Sequence, residues 1–268
     1  MLRAAASAAP AGPGVYLFLS ESGAVLYVGK ATSVRARLRQ HAAAGPSTSH
    51  LHERYDLVRR VVWETAPSAD AAAWREADLI FALRPPFNAD PGPRPAFLVV
   101  AEGDGARLRF ALSAAPGGRG TRTYGCFPHL GKGTSSQLGI ACSDGYVALL
   151  RLLWSASGDG THVPAAITRS APVAFDTDVA ADLRPGLHRL LSGVGAGVLG
   201  VVADRAGCRP AFMQPALARD ARAAAGFFDA GPRLLRRHRL RAGVTSTTVD
   251  EDGYRRLVLD GLECARLG

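Results

Sequence analysis

The first clear apolar rhythm lies at 14–28, GVYLFLSESGAVLYV, where two short apolar runs flank Ser20-Glu21-Ser22-Gly23. Runs of that length, broken by turn residues, predict a β-hairpin. With the loop at 20–23, or a two-residue turn at Glu21-Ser22, Tyr16 falls directly opposite Tyr27. Both faces of this hairpin are substantially apolar, which predicts a central position covered on each side. The rhythm then changes to helical spacing over 33–44, with Val34, Leu38 and Ala42 as the core stripe and Gly45-Pro46 as the stop. VRRVVWET at 58–65 predicts a third strand. A second helix is expected over 68–83, capped by Ser68 and stopped by Pro85-Pro86.

Beyond that point ADPGPRP at 89–95 reads as a linker. Three short strands follow at 96–101, 107–112 and 121–126, then a helix at about 138–155. The stretch 179–241 is mostly helical, with breaks expected at Pro210, Pro215 and Gly231-Pro232. Two strand-like runs at 244–249 and 254–259 around Asp252-Gly253 predict a terminal hairpin. The fold class is therefore α+β: a small antiparallel sheet flanked by helices, a smaller mixed segment, and a mostly helical C-terminal region. The expected divisions are 12–90, 91–158 and 159–268.

The helical pattern singles out one acid. Ala72, Ala73, Leu79, Ile80 and Leu83 surround Glu76 at helical spacing, so its carboxylate projects from the middle of the apolar face. Trp74 and Phe81 on the reverse face indicate burial on two sides. An ionised carboxylate in such a place needs a cation, by the plainest reading a nearby arginine, or else a metal or catalytic duty. On the preceding helix Arg37 and His41 share one flank of the stripe, while Arg35 and Arg39 occupy the other, solvated flank or touch phosphate loosely. Lys30 follows Gly29 directly and is one of two lysines in the chain.

Composition narrows the partners. At 47% apolar and 21% charged the chain is an ordinary globular protein, and its net charge of +9 favours a polyanion, nucleic acid before membrane. The four cysteines are scattered and suggest neither a disulfide framework nor a zinc site, so a reducing cytoplasm is expected. The most membrane-like run, LLSGVGAGVLGVVA, is too short and glycine-rich to span a bilayer. GCFPHLGKGT resembles a phosphate-binding loop only superficially. Five residues separate Gly125 from Gly131, and Gly133 stands where Ser or Thr is required.

Taken together, Gly14-Val15-Tyr16, Tyr27-Val28-Gly29, Lys30, Arg37, His41, Glu76 and Asn88 in RPPFN resemble, in order and spacing, the GIY-YIG nuclease domain of the UvrC and Cho excinuclease type. The resemblance implies hydrolysis of a DNA phosphodiester with Mg²⁺ or Mn²⁺ anchored by Glu76. It implies Tyr16 as general base, with positive charge from Lys30 and the metal, and Tyr27 and His41 ordering water. Arg37 would neutralise phosphate charge, while Gly29, Arg35, Arg39 and Asn88 bind or position DNA. A fainter likeness continues through AFLVV, RLRFAL and TYGCFPHLGKGTSSQLGIACSDGYVALLRLLW. The cysteine cluster that often follows in UvrC-type chains is missing, so an iron–sulfur site is not expected. Residues 186–241 occupy the place of a UvrB-docking helical hairpin but are interrupted by prolines. The expected layout has one cutting centre, acting on DNA with UvrB and UvrA as possible partners. Two alternatives stay open: a GIY-YIG nuclease acting on branched or specific DNA outside excision repair, and a non-catalytic module binding DNA or a repair partner.

Overall fold

The computed structural model describes residues 1–43, 52–88, 96–128, 130, 137–158, 162–168 and 170–263. Two compact units emerge: Met1–Gly92 with Val258–Gly268, and Pro93–Leu257. The expected linker at 89–95 and the helix stop at Gly45-Pro46 lie outside the described residues.

In the first unit, α1 (Leu2–Ala8) precedes β1 (Gly14–Leu19), β2 (Val25–Ala31), α2 (Val34–Ala43), a 3-10 turn (His52–Leu57), β3 (Arg60–Thr65) and α3 (Ala69–Leu83). The strands form an antiparallel sheet in the order β2-β1-β3. Every residue of β1 is buried, as its two apolar faces require. Tyr16 and Phe18 join Val34, Leu38 and Val58 in one core cluster.

The hairpin register differs from the sequence expectation by two residues. Tyr16 pairs with Gly29 and Phe18 with Tyr27, and the register then shifts so that Leu19 meets Val25. The turn is wider than expected: Ser20 N–H donates to Ala24 O at 2.9 Å, and Gly23 N–H to Ser20 O at 3.1 Å. Because side chains alternate with a period of two, the slip changes partners without changing faces. Tyr16 and Tyr27 remain on one side of the sheet, as diagonal neighbours.

On α2, His41 replaces Ala42 as the third buried residue beside Val34 and Leu38. Helix α3 begins as expected, with Ser68 Oγ accepting from Ala71 N–H at 3.1 Å. It ends at Arg84 in the left-handed conformation, φ 49°, just before the two prolines. Its burial extends nearly all round, including Ala77, Asp78 and Phe81, so Glu76 sits at the edge of the packed surface rather than at its centre.

The second unit holds β4 (Ala96–Glu102), β5 (Arg107–Ser113), β6 (Thr121–Phe127), α4 (Gln137–Ser157), β7 (Ala174–Asp178), α5 (Arg184–Leu191), α6 (Val198–Ala206), α7 (Gln214–Phe228) and α8 (Leu234–Arg241). The antiparallel sheet runs β6-β4-β5-β7. Strand β7, which the sequence pattern did not reveal, pairs with β5 from Arg107–Asp178 to Ala111–Ala174. Helix α4 packs on α6 and α7. A Cβ at Gly145 would lie 2.3 Å from Ala223 O, so glycine is what allows α4 and α7 to approach.

Two sequence expectations fail here for local reasons. Pro215 opens α7 in its first turn, where its missing N–H costs nothing. Pro232 sits inside a π-turn, Asp229–Arg233, which joins α7 to α8 without ending the helix. The expected terminal hairpin is instead α9 (Glu251–Glu263). Asp250 caps it by accepting Gly253 N–H at 2.6 Å, Glu251 and Asp252 fill the first turn, and Tyr254, Leu257 and Val258 are buried at helical spacing. The run before it pairs only briefly, Thr248 bridging Gly125. Among the described residues no helix is long and apolar enough to cross a membrane.

Candidate active site

The sheet face carrying Tyr16 and Tyr27 is where most of the singled-out residues meet. The two rings lie 6.1 Å apart and tilted by 44°. Tyr16 is fully buried. Opposite it, a Cβ at Gly29 would come within 2.4 Å of Tyr16 Oη. Glycine at this position lets the tyrosine lie across β2, so its place in the second triplet is a packing demand.

His41 reaches the same face from α2. Its Nε2 is 2.8 Å from Tyr16 Oη, and its Nδ1 is 2.5 Å from Tyr55 Oη. Edge-on contacts with Phe18, Tyr27 and Tyr55 hold the ring in place. Only 6% of His41 is exposed. A neutral imidazole offers one donor and one acceptor, so the two phenols and the ring form one directional hydrogen-bond chain, its direction assigned from the network. Tyr55 is the residue that sequence reasoning missed. It lies on the 3-10 turn His52–Leu57, where no apolar period draws attention to it.

Glu76 projects from α3 to the end of β2. Its Oε1 accepts Lys30 backbone N–H at 3.0 Å, and its Oε2 meets Lys30 Nζ at 2.8 Å. The carboxylate is 18% exposed and the ammonium 40%. The partner is thus a lysine rather than the expected arginine. Arg75, the nearest arginine in sequence, is instead held by Glu64 through two bonds of 2.8 and 2.9 Å. Arg37 donates to Gln40 Oε1 at 3.0 Å. Its guanidinium also lies close enough to be held in its charged form mainly by Tyr16.

These proximities show in the phenols. Burial, followed by Tyr27, pushes Tyr16 well above the ordinary tyrosine range, and Arg37 only partly opposes this. Burial and then the charge of Glu76 push Tyr27 up as well. Lys30 is therefore not the agent that lowers Tyr16; its ammonium is spent on Glu76.

The remaining expected residues have separate positions. Asn88 clamps the free edge of β2: Val28 N–H donates to its Oδ1 at 3.0 Å, and its Nδ2 donates to Val28 O at 2.9 Å. It therefore fixes the Tyr27-Val28-Gly29 backbone. Arg35 donates from Nε to Ala9 O at 2.8 Å, a bond that ties α2 to the chain after α1. Arg39 stands exposed, outside this cluster.

Among the described residues no three His, Cys, Asp or Glu side chains converge. Glu76 offers a single carboxylate at a partly open position. That suits a hard cation such as Mg²⁺, which keeps several waters and commonly uses one or two carboxylates with substrate phosphate. Mg²⁺ or Mn²⁺ would have to share or displace Lys30 Nζ.

A three-stranded sheet whose triplets Gly14-Val15-Tyr16 and Tyr27-Val28-Gly29 face an acid on the following helix is a domain of the GIY-YIG class. Within it, residues 12–89 match the UvrC-like GIY-YIG domain. The UvrABC system protein C of Hyphomonas neptunium is 35% identical over 79 residues, 30% of this chain and 13% of that protein. The excinuclease Cho of Salmonella typhi is 38% identical over 88 residues, 32% of this chain and 29% of that protein. The chain thus spans less than a third of these curated relatives. The magnesium-bound N-terminal endonuclease domain of UvrC from Thermotoga maritima is 30% identical, with a TM-score of 0.30, and the likeness covers 33% of this chain and 96% of that domain.

Proposed function

We propose that the GIY-YIG domain hydrolyses a DNA phosphodiester using one divalent cation, Mg²⁺ or Mn²⁺, held at Glu76. The observation that carries this reading is the meeting of Tyr16, Tyr27, Arg37, His41 and the Lys30–Glu76 pair around one end of the β1–β2 hairpin. A cation bound there would neutralise charge on the phosphate and leaving oxygen. Arg37 is assigned the role of stabilising charge growing on the phosphate oxygens, a reading supported by its electrostatic link to Tyr16.

Proton removal from the attacking water is assigned to Tyr16 and His41 together. A buried phenol is a poor phenolate, so a mechanism waiting for Tyr16 to ionise alone is disfavoured. With Tyr16 O–H donating to His41 Nε2 and Nδ1–H donating to Tyr55 Oη, the water proton passes to Tyr16 Oη as the phenolic proton passes to Nε2. No free phenolate is needed, and the imidazolium formed keeps Tyr55 as an acceptor. Tyr27 packs against both rings and orders the water side of the site. Gly29 and Asn88 act by positioning β2, while Arg35 and Arg39 are assigned at most loose phosphate contact.

The likeness to UvrABC system protein C and to excinuclease Cho supports incision of damaged DNA in nucleotide excision repair as the setting. UvrB, loaded with UvrA, is the candidate partner. The test is nicking of ultraviolet-irradiated, undamaged and branched duplexes with Mg²⁺ or Mn²⁺, with and without UvrA and UvrB. Glu76→Ala and Arg37→Ala should each lower nicking by about a thousandfold or more while the circular dichroism spectrum is retained. Undiminished nicking by either variant removes that residue from the mechanism.

A further inference from the structure

The positive charge is unevenly shared. Pro93–Leu257 holds 21 Lys and Arg against 13 Asp and Glu, an excess of +8, whereas the other unit holds 11 against 10, an excess of +1. The proposed cutting domain is thus nearly neutral and is by itself weakly equipped to hold a polyanion. Several of the second unit's arginines are already engaged. Arg107, Arg109, Arg151 and Arg205 each meet an aspartate. Arg184 and Arg209 donate to backbone carbonyls.

Arginine is densest on α7 and α8, one continuous helical segment of 28 residues with the π-turn inside it. It carries seven arginines and two aspartates. Asp220 points to Arg151, with bonds of 2.9 and 2.5 Å, and Asp229 pairs with Arg233 at 3.0 Å. Arg219, Arg222 and Arg241 are exposed and, among the described residues, have no hydrogen bond or ion pair. Leu217, Ala224 and Phe227, then Leu235 and His238, face the core. Helical phase puts Arg219 and Arg222 opposite Leu217, Ala224 and Phe227, and the π-turn, by absorbing part of a turn, brings Arg241 roughly into line with Arg222 along the flank of α8. From 219 to 241 the stripe rises about 33 Å, close to one turn of B-form DNA at about 34 Å.

We infer that this stripe, centred on Arg219, Arg222 and Arg241, is the surface by which the second unit holds the phosphate backbone of duplex DNA. The inference rests on DNA being the substrate of the proposed nuclease and adds where that substrate is gripped. Helical rise along the stripe matches a backbone track rather than a base-reading contact, so binding here is independent of sequence.

The test uses the full chain and a fluorescently labelled 30-base-pair duplex, with binding read by anisotropy in EDTA so that no cutting intervenes. The triple variant R219Q/R222Q/R241Q should bind at least about tenfold more weakly near 50 mM salt, and its log–log salt slope should fall by about 2 to 3. The triple Lys variant at the same positions should bind like the wild type, because phosphate accepts either cation. Unchanged affinity and slope in the Gln variant overturn the inference and leave the stripe to an acidic protein. Equal loss in the Gln and Lys variants also overturns it, since charge is then not what matters. Nicking is measured separately with Mg²⁺. A wild type that binds through the stripe yet never cuts refutes the nuclease reading alone, and one that cuts with the stripe removed and binding intact refutes only the present inference.

Discussion

Each unit contains a tyrosine bonded to a histidine, and the two pairs have different surroundings. In the first, His41 bridges Tyr16 and Tyr55, with Arg37 and the Lys30–Glu76 pair close by. In the second, Tyr124 Oη meets His188 Nδ1 and the rings stack at 6.0 Å, beside a cavity of about 190 Å³ lined by Val100, Leu108, Arg122 and Arg184. Here burial, then Arg122, pushes the imidazole below its ordinary range. The bond type is shared, so it cannot by itself confer chemistry. What separates the pairs is the second phenol on the far nitrogen and the company of the acid: Glu76 is held by Lys30, whereas Glu102, which lines the second cavity, lies beside Arg184. The division of charge repeats the lesson: the unit with the assembled site is nearly neutral, and the unit without it carries the cations.

The sharpest way to break this contrast is to remove one hydroxyl from each pair. Tyr16→Phe should lower metal-dependent nicking by about a hundredfold or more, whereas Tyr124→Phe should leave the nicking rate within about twofold. Comparable losses in both variants would mean that the surroundings do not distinguish the pairs. A smaller effect, about tenfold, is expected for Tyr55→Phe, which keeps the ring packing but withdraws the acceptor of Nδ1–H. Nitrogen-15 shifts of the His41 ring should then show a mixture of tautomers, a change that a purely structural tyrosine would not produce. A slowed enzyme with an unaltered ring spectrum would count against the relay.

The smallest effect concerns pH. His188 is depressed in the folded chain, so the unfolded chain binds the proton more readily. Full stability is therefore present above about pH 6.5, the ordinary histidine value, and declines as pH falls from there towards the folded-state value. Thermal melts of wild type and His188→Gln across pH 5 to 8 should diverge in that acidic window, with the variant flatter. Parallel curves would show that burial beside Arg122 and Arg184 does not perturb the ring.

Much of the site was legible in the chain because its residues sit at fixed local offsets. The triplets, Arg37 and His41 four residues apart, and Glu76 on a capped helix all follow from short-range periodicity. Lys30 and Glu76 are separated by 46 residues, and their pairing depends on α3 meeting the end of β2. Asn88 was expected to bind or position DNA, and it closes the edge of β2 with two hydrogen bonds. Tyr55 has no periodic neighbours and could be found only by following the second nitrogen of His41.

Sequence alone determined the faces of the first hairpin, the start of α3 at Ser68, the strands β4 to β6 and the excess of positive charge, because alternation, capping and composition are properties of neighbouring residues. Tertiary structure decided the two-residue slip that sets Tyr16 over Gly29, the helix in place of a terminal hairpin, and the passage of α7 into α8 through Pro232. Each of these compares alternatives of similar local energy, and the choice falls to contacts between residues distant in the chain. The arginine stripe belongs to both: its spacing is written in the sequence, while its freedom from partners follows from where Asp220 and Asp229 turn.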